Sequence, residues 1–203
     1  MIDKIKKSLQ IPAVYDLHNW LFGAKKIRSI IVKNHIEEFK GKKILDIGCG
    51  TANMLSYLGD SEYIGFDIHK PYIEYARRKY GKKGKFFTQS VSETTLREYD
   101  NFDIVISIGI LHHLNDEEAI KLFKIAEKSL KSGGRLITLD PCYTKNQSRL
   151  ARWFISKDRG KAIRTDTEYC SLAQKVFRDV EFYIYNNIIN IPYTHILIKC
   201  DKH

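Results

Sequence analysis

Two carboxylates bracket a pair of glycines near the start of the chain. Asp46 stands two residues before Gly48, Gly50 follows, and Asp67 comes 19 positions after Gly48. Glycines at this spacing let a backbone turn sharply and let a ligand approach the main chain. A carboxylate in Asp67's position can accept both hydroxyls of a ribose. A dinucleotide loop would carry a third glycine at position 53 to cradle a pyrophosphate, but that residue is Asn53. Asp46 would also repel a phosphate. The loop therefore suits a ligand with a cationic amino group and a ribose but no phosphates, a description that S-adenosylmethionine meets.

A second group of candidates lies further on. His112 and His113 are neighbours, and an imidazole of ordinary pKa suits a general base near neutral pH. A histidine that only packs would also suit that corner. Asp140 ends a later apolar run and belongs on a pocket rim. Residues 144–164 hold seven Lys/Arg against one acid. Arg149, Arg152 and Arg159 fall at i, i+3 and i+10, one face of a helix if it runs that far, with Arg164 beyond. Leu150, Trp153 and Phe154 would form the opposite face and pack on the core. Guanidinium forks suit carboxylate or phosphate, so these arginines and Tyr143 are candidates for holding an anionic acceptor. A solvated basic face is the plainer reading.

These residues need elements to hold them. Short apolar runs at 43–48, 63–67, 85–88, 103–107 and 135–139 predict strands, and 181–185 with 195–199 predict a closing antiparallel pair. Near-continuous apolar strands imply a parallel sheet covered on both faces. Helices are predicted at 70–80, 116–131, 147–157 and 167–178. In the second of these, Asn115 and Glu118 make a capping box, and Ala119, Phe123, Ala126 and Leu130 make an apolar face. Pro71 opens the first. Strand and helix in alternation predict a doubly wound α/β fold.

Composition bounds the rest. The 203 residues, 43% hydrophobic, fit one domain with a full core. Four cysteines at 49, 142, 170 and 200 have no paired spacing, so neither zinc nor a disulfide scaffold is expected, and no metal. Reduced thiols, no apolar run long enough to span a bilayer and no signal-peptide pattern in residues 1–10 lead us to expect a cytoplasmic protein. The net charge of +10 admits nucleic acid, a membrane surface or a small anion. The acidic stretch 90–118 breaks any continuous track for a polyanion.

Several ordered segments resemble the class I S-adenosylmethionine-dependent methyltransferases, in the group of the ubiquinone/menaquinone enzymes. Leu-Asp-Ile-Gly-Cys-Gly-Thr (45–51) is similar to that family's glycine motif. Tyr63-Ile-Gly-Phe-Asp67 is similar to its ribose-acidic motif. Residues 102–114 resemble its fourth-strand motif, and 130–136 its turn into the fifth strand. Tyr15-Asp-Leu-His-Asn with Arg28 resembles the N-terminal segment that caps the cofactor. The resemblance implies a seven-stranded, mostly parallel, Rossmann-like sheet. It also implies a helical cap within 1–40 and a helical insert for the substrate at 144–178, all in one domain, 1–203. It implies a cofactor site of Tyr15, Arg28, Asp46, Gly48, Gly50, Asp67, Ile68, Ser90, Val91 and Ile108, with His112, His113 and Asp140 as catalytic candidates. Two positions depart from the pattern. The usual third glycine is Ala52, and the acid that commonly touches adenine after the third strand is replaced by Thr88-Gln89-Ser90-Val91. Asp140-Pro-Cys-Tyr143 resembles motifs of nucleic-acid base methyltransferases, which however follow the fourth strand. The implied function is methyl transfer to a small, anionic molecule. An RNA methyltransferase and a silent cofactor-binding domain are the alternatives.

Overall fold

The computed structural model describes residues 11–92, 96 and 99–203. Seven strands form one sheet: β1 (Lys43–Ile47), β2 (Glu62–Asp67), β3 (Gly84–Thr88), β4 (Phe102–Ile108), β5 (Leu130–Pro141), β6 (Asp179–Asn186) and β7 (Thr194–Asp201). Their order is β3-β2-β1-β4-β5-β7-β6. The first five run parallel, and β7 lies antiparallel between β5 and β6. From β1 the chain winds outward to β3, then returns to place β4 beside β1. This reversal opens a crevice at the carboxyl ends of β1 and β4, where open α/β sheets bind ligands.

Helices cover both faces because the strands are apolar on both. In β1, Ile44 joins one buried cluster and Leu45 the other; in β4, Ile104 and Ile106 alternate with Val105 in the same way. Helices α2 (Ala24–Ile31) and α3 (Lys70–Tyr80) set Ile27, Ile31, Ile73 and Ala76 on one face. Helices α4 (Asp116–Ser129) and α6 (Asp166–Gln174) set Ala119, Phe123, Ala126 and Tyr169 on the other. Each fully buried aliphatic or aromatic chain is worth about 1.5–3 kcal/mol. Helix α1 (Pro12–Leu21) and α5 (Arg149–Ser156) lie at the crevice end.

The local signals act as read. The Asn115/Glu118 capping box forms at α4, with Asp116, Glu117 and Glu118 in the first turn and Lys128 in the last. Thr165 and Glu168 make a second box at α6. Three expectations are corrected. The helix expected to reach residue 131 stops at Ser129, because Leu130 turns extended to pair with Phe102, and Gly133 (φ +73°) lies within a bulged strand. Helix α5 ends at Ser156, before Arg159. Leu150 and Trp153 are exposed, and α5 buries Ala151 and Ile155 instead. Residues 1–10 of the expected cap lie outside the described residues. The rest of that cap is α1, α2 and a π-helical turn, Val32–Ile36.

Candidate active site

The glycine turn sits at the crevice. Gly48 has φ +77°, and a Cβ there would lie 2.2 Å from Ile110 Cδ1 of the loop after β4. The positive φ favours glycine here, and any Cβ would also have to push the Ile110 side chain aside. Gly50 (φ +55°) donates its N–H to Asp67 Oδ2 at 2.8 Å, and His69 N–H donates to Asp67 Oδ1 at 2.7 Å. The carboxylate at the end of β2 is thereby aimed at the glycine turn. The Tyr15 ring faces Gly50 and packs on Tyr72 with centroids 4.9 Å apart. Asp16 accepts from Thr51 Oγ1 (2.6 Å), Asn53 Nδ2 (2.7 Å) and Lys79 Nζ (3.2 Å), which fastens α1 to the loop. Ala52 takes φ +56° and is fully buried.

Asp46 is buried and accepts a hydrogen bond from Tyr63 Oη. Burial pushes its carboxyl up to about 7; the Tyr63 bond and Arg28 pull the other way. A buried acid held near neutrality suits a cationic amino group. Together with the positive-φ glycine turn and the Asp67 carboxylate, the residues present fit S-adenosylmethionine. Ile68 is exposed beside Asp67, while Ser90 and Val91 follow β3, Ser90 exposed and Val91 packed against the core.

Past the glycine turn lies a cavity of about 500 Å³. Tyr15 and Arg28 reach it from the N-terminal helices, and Ile108, Gly109, His112 and His113 from the end of β4 and the turn that follows. Lys157, Asp158 and Arg159 reach it from the segment after α5 and Tyr193 and His195 from the entry into β7, and His18, Phe22 and Phe154 complete much of its aromatic wall. His112 is buried, and its Nδ1 lies 2.7 Å from Asp140 Oδ1, which also accepts the His112 backbone N–H at 3.1 Å. Asp140 is fully enclosed, and burial pushes its carboxyl up against the opposing pull of His112. An Nδ1–H donated to Asp140 leaves the Nε2 lone pair of a neutral His112 free to take a proton. On that side Asp158 Oδ1 stands 3.5 Å away. Asp158 accepts from Tyr193 Oη (2.6 Å) and Gly160 N–H (2.7 Å); burial works against ionisation, but these donors and both histidines outweigh it and hold the carboxyl low.

His113 and His195, in the same cavity wall, stay neutral near pH 7. Burial, then the charge of His112, pulls His113 down to about 4, and burial brings His195 to about 4 as well. His195 Nδ1 is buried without a hydrogen-bond partner.

Of the arginines singled out in the sequence, the structure brings Arg159 to the cavity. Arg149 and Arg152 are exposed on α5, and Arg152 stacks over Tyr143 at 5.0 Å. Tyr143 is not in the cavity wall; it bridges to Thr165 and its N–H donates to Arg164 O. Arg164 is buried and committed elsewhere. It donates to Asp116 Oδ1 (2.7 Å) and to the carbonyls of Leu111, Leu114 and Ala162. Asp158, Tyr193, His195, His18 and Lys157 were not foreseen. Asp158 had one visible signal, as the lone acid in a basic run and the start of an Asp-x-Gly turn. Among the described residues, no group of three or more His, Cys, Asp or Glu side chains is arranged to hold a metal.

Residues 44–134 match the family model of a methyltransferase domain. The ubiquinone biosynthesis O-methyltransferase of Idiomarina loihiensis is 29% identical over 115 residues, covering 54% of this chain and 46% of that one. The phosphoethanolamine N-methyltransferase of Plasmodium falciparum is 26% identical over 178 residues, covering 81% and 66%. Among solved structures, phosphoethanolamine N-methyltransferase 2 of Haemonchus contortus in complex with S-adenosyl-L-methionine superposes with a TM-score of 0.73 at 15% identity, over 98% of this chain and 59% of that one. The first curated relatives are longer proteins, of which the chain spans between 21% and 64%.

Proposed function

We propose that the chain, whose residues 44–134 match the family model of a methyltransferase domain, transfers a methyl group from S-adenosylmethionine to a small, anionic acceptor. The observation that carries this reading is the junction of two sites. Tyr15 faces Gly50 of the glycine turn and also lines the cavity that presents a buried, carboxylate-oriented histidine.

Asp67 would hold the ribose hydroxyls, and Asp46 the amino group. Tyr15 and Arg28 would close over the amino-acid end, and Ile68, Ser90 and Val91 would flank the adenine. When bound, S-adenosylmethionine supplies a methyl group already activated on a sulfonium. The protein's part is then to align, and orientation of this kind is worth roughly 7–11 kcal/mol. His112 takes the acceptor's proton at Nε2, and Asp140 steadies the resulting imidazolium through Nδ1–H. Arg159, with Lys157 and Arg28, supplies positive charge for an anionic group, while Phe22, Ile27, Leu139 and Phe154 receive an apolar part. A cavity of about 500 Å³ fits a metabolite. The four cysteines are buried and unbridged, which supports a reducing compartment such as the cytoplasm.

Incubation with labelled cofactor and a cell extract, followed by mass spectrometry, should yield a methylated small molecule. With that acceptor, His112→Ala should lower turnover about 100-fold or more with unchanged affinity for S-adenosylhomocysteine. A variant that keeps its turnover would remove His112 from the chemistry.

A further inference from the structure

Beside residues that line the cavity, the fold leaves large apolar side chains in solvent. On α1, Leu17, Trp20 and Leu21 fall at i, i+3 and i+4 and are each more than half exposed. On α5, Leu150 and Trp153 fall at i and i+3 and are equally exposed. The loop 187–192 joins the two helices into one surface. Asn190 donates its side chain to Leu21 O (2.7 Å) and its N–H to Phe22 O (3.1 Å). The same loop forms a shallow groove with Ser148 and Leu150. Ile189 and Ile191 line both that groove and the main cavity. Phe22 and Phe154, the chain neighbours of Leu21 and Trp153, line the cavity from inside.

Among the described residues, the exposed charge on α5 and at the start of α2 has one sign. Residues 144–157 carry Lys145, Arg149, Arg152 and Lys157 and no acid. Lys25 and Lys26 are exposed at the start of α2. Among the described residues, the acids carried by or following these helices are engaged inward: Asp16 is bonded to Thr51, Asn53 and Lys79, and Asp158 to Tyr193 and Gly160.

We propose that this surface docks the protein, lying in the interfacial plane, on an anionic lipid bilayer. Contiguous apolar side chains at this exposure mark an interaction site. Tryptophan beside arginine and lysine is the composition that settles at a bilayer interface of negative charge. A second copy fits less well, because a two-fold contact sets each patch against itself and would face like charges with no acids to pair them. No helix among the described residues is long and apolar enough to cross a membrane, so the contact is peripheral. In that orientation the cavity opens toward the lipid, and an amphiphilic molecule can enter without crossing water.

The test is cosedimentation of the full chain with vesicles of phosphatidylglycerol and phosphatidylcholine, against phosphatidylcholine alone. Trp20 and Trp153 are the two tryptophans of the chain, so their emission reports directly on the patch. The protein should bind the anionic vesicles with a blue shift and come off at high salt. Arg149→Gln with Arg152→Gln should weaken partition roughly 25-fold. Trp20→Ser with Trp153→Ser should weaken it about tenfold or more. Both double variants should retain their affinity for S-adenosylhomocysteine, which checks that they fold. Failure to bind anionic vesicles overturns the proposal, as does binding that both variants leave unchanged. Light scattering that shows a dimer dissolved by the tryptophan variant overturns it too, and assigns the patch to a second copy.

Discussion

Gly160 lies flat against the imidazole of His112: a Cβ there would sit 2.2 Å from His112 Cδ2 and 2.8 Å from His112 O. The adjoining chain adds a second hold, since Ala162 N–H donates to the same carbonyl at 2.9 Å. The insert after β5 thus fixes the ring that Asp140 orients from the other side. Gly160→Ala must displace that ring or the loop. A misplacement of about 1 Å can cost on the order of 100-fold in rate. Turnover should fall by that order while calorimetry shows unchanged affinity for S-adenosylhomocysteine. Equal turnover would mean that His112 need not be held.

Asp67→Ala removes a carboxylate that braces the Gly50 and His69 amides. Hydrogen bonds to a charged group are worth about 1.5–3 kcal/mol. Affinity for S-adenosylhomocysteine should drop at least roughly tenfold. Unchanged affinity by calorimetry would detach Asp67 from the ribose.

Arg159 and Arg164 should part company. Arg159→Gln should raise the acceptor's KM and leave thermal stability alone, because the side chain lies at the cavity. Arg164→Gln strips hydrogen bonds from three carbonyls inside the fold. At about 1–3 kcal/mol for groups left unsatisfied, and about 2–4 °C per kcal/mol at this chain length, its Tm should fall by several degrees. A KM effect without a Tm effect at Arg164 would return it to the substrate site.

Asp46 carries a pH dependence. With its folded carboxyl raised to about 7 by burial, it stays protonated well above the pH at which an unfolded chain ionises it. That preference favours the fold at low pH and fades as pH rises through about 7. A cationic amino group, in contrast, needs the carboxylate. Cofactor affinity should therefore rise between about pH 6 and 8, with a proton released on binding. Calorimetry in buffers of different ionisation enthalpy reads that proton directly. Asp46→Asn should abolish both the slope and the release.

The fold was legible because its signals are local. Strand β1 running into Gly48, the Asn115 cap and Pro71 each announce themselves within a few residues. The cofactor loop was legible for the same reason, since Asp46, Gly48, Gly50 and Asp67 fall within the short stretch from β1 to the end of β2. The acceptor wall was not. Asp158, Tyr193 and His195 come from two distant stretches and meet only because β7 folds back between β5 and β6. The arginine spacing misled because it assumed a helix through residue 159, and the Asp158–Gly160 turn follows its end at Ser156. Leu150 and Trp153 are exposed because α5 turns its smaller face, Ala151 and Ile155, to the core, a choice that helical periodicity alone does not determine.

Ala52 holds a left-handed backbone, φ +56°, a geometry that glycine adopts without strain. That geometry costs an alanine roughly 1–2 kcal/mol. Against it, an alanine has fewer unfolded conformers to lose than a glycine, worth about 0.4–1 kcal/mol, and its buried methyl adds about 0.8 kcal/mol. The terms nearly cancel, so the substitution is close to neutral for stability. Its effect falls on the loop's freedom instead: a turn with one fewer glycine samples fewer shapes and surrenders less entropy on capturing its ligand. The tightness of this cradle is therefore set partly by what the empty loop is prevented from doing.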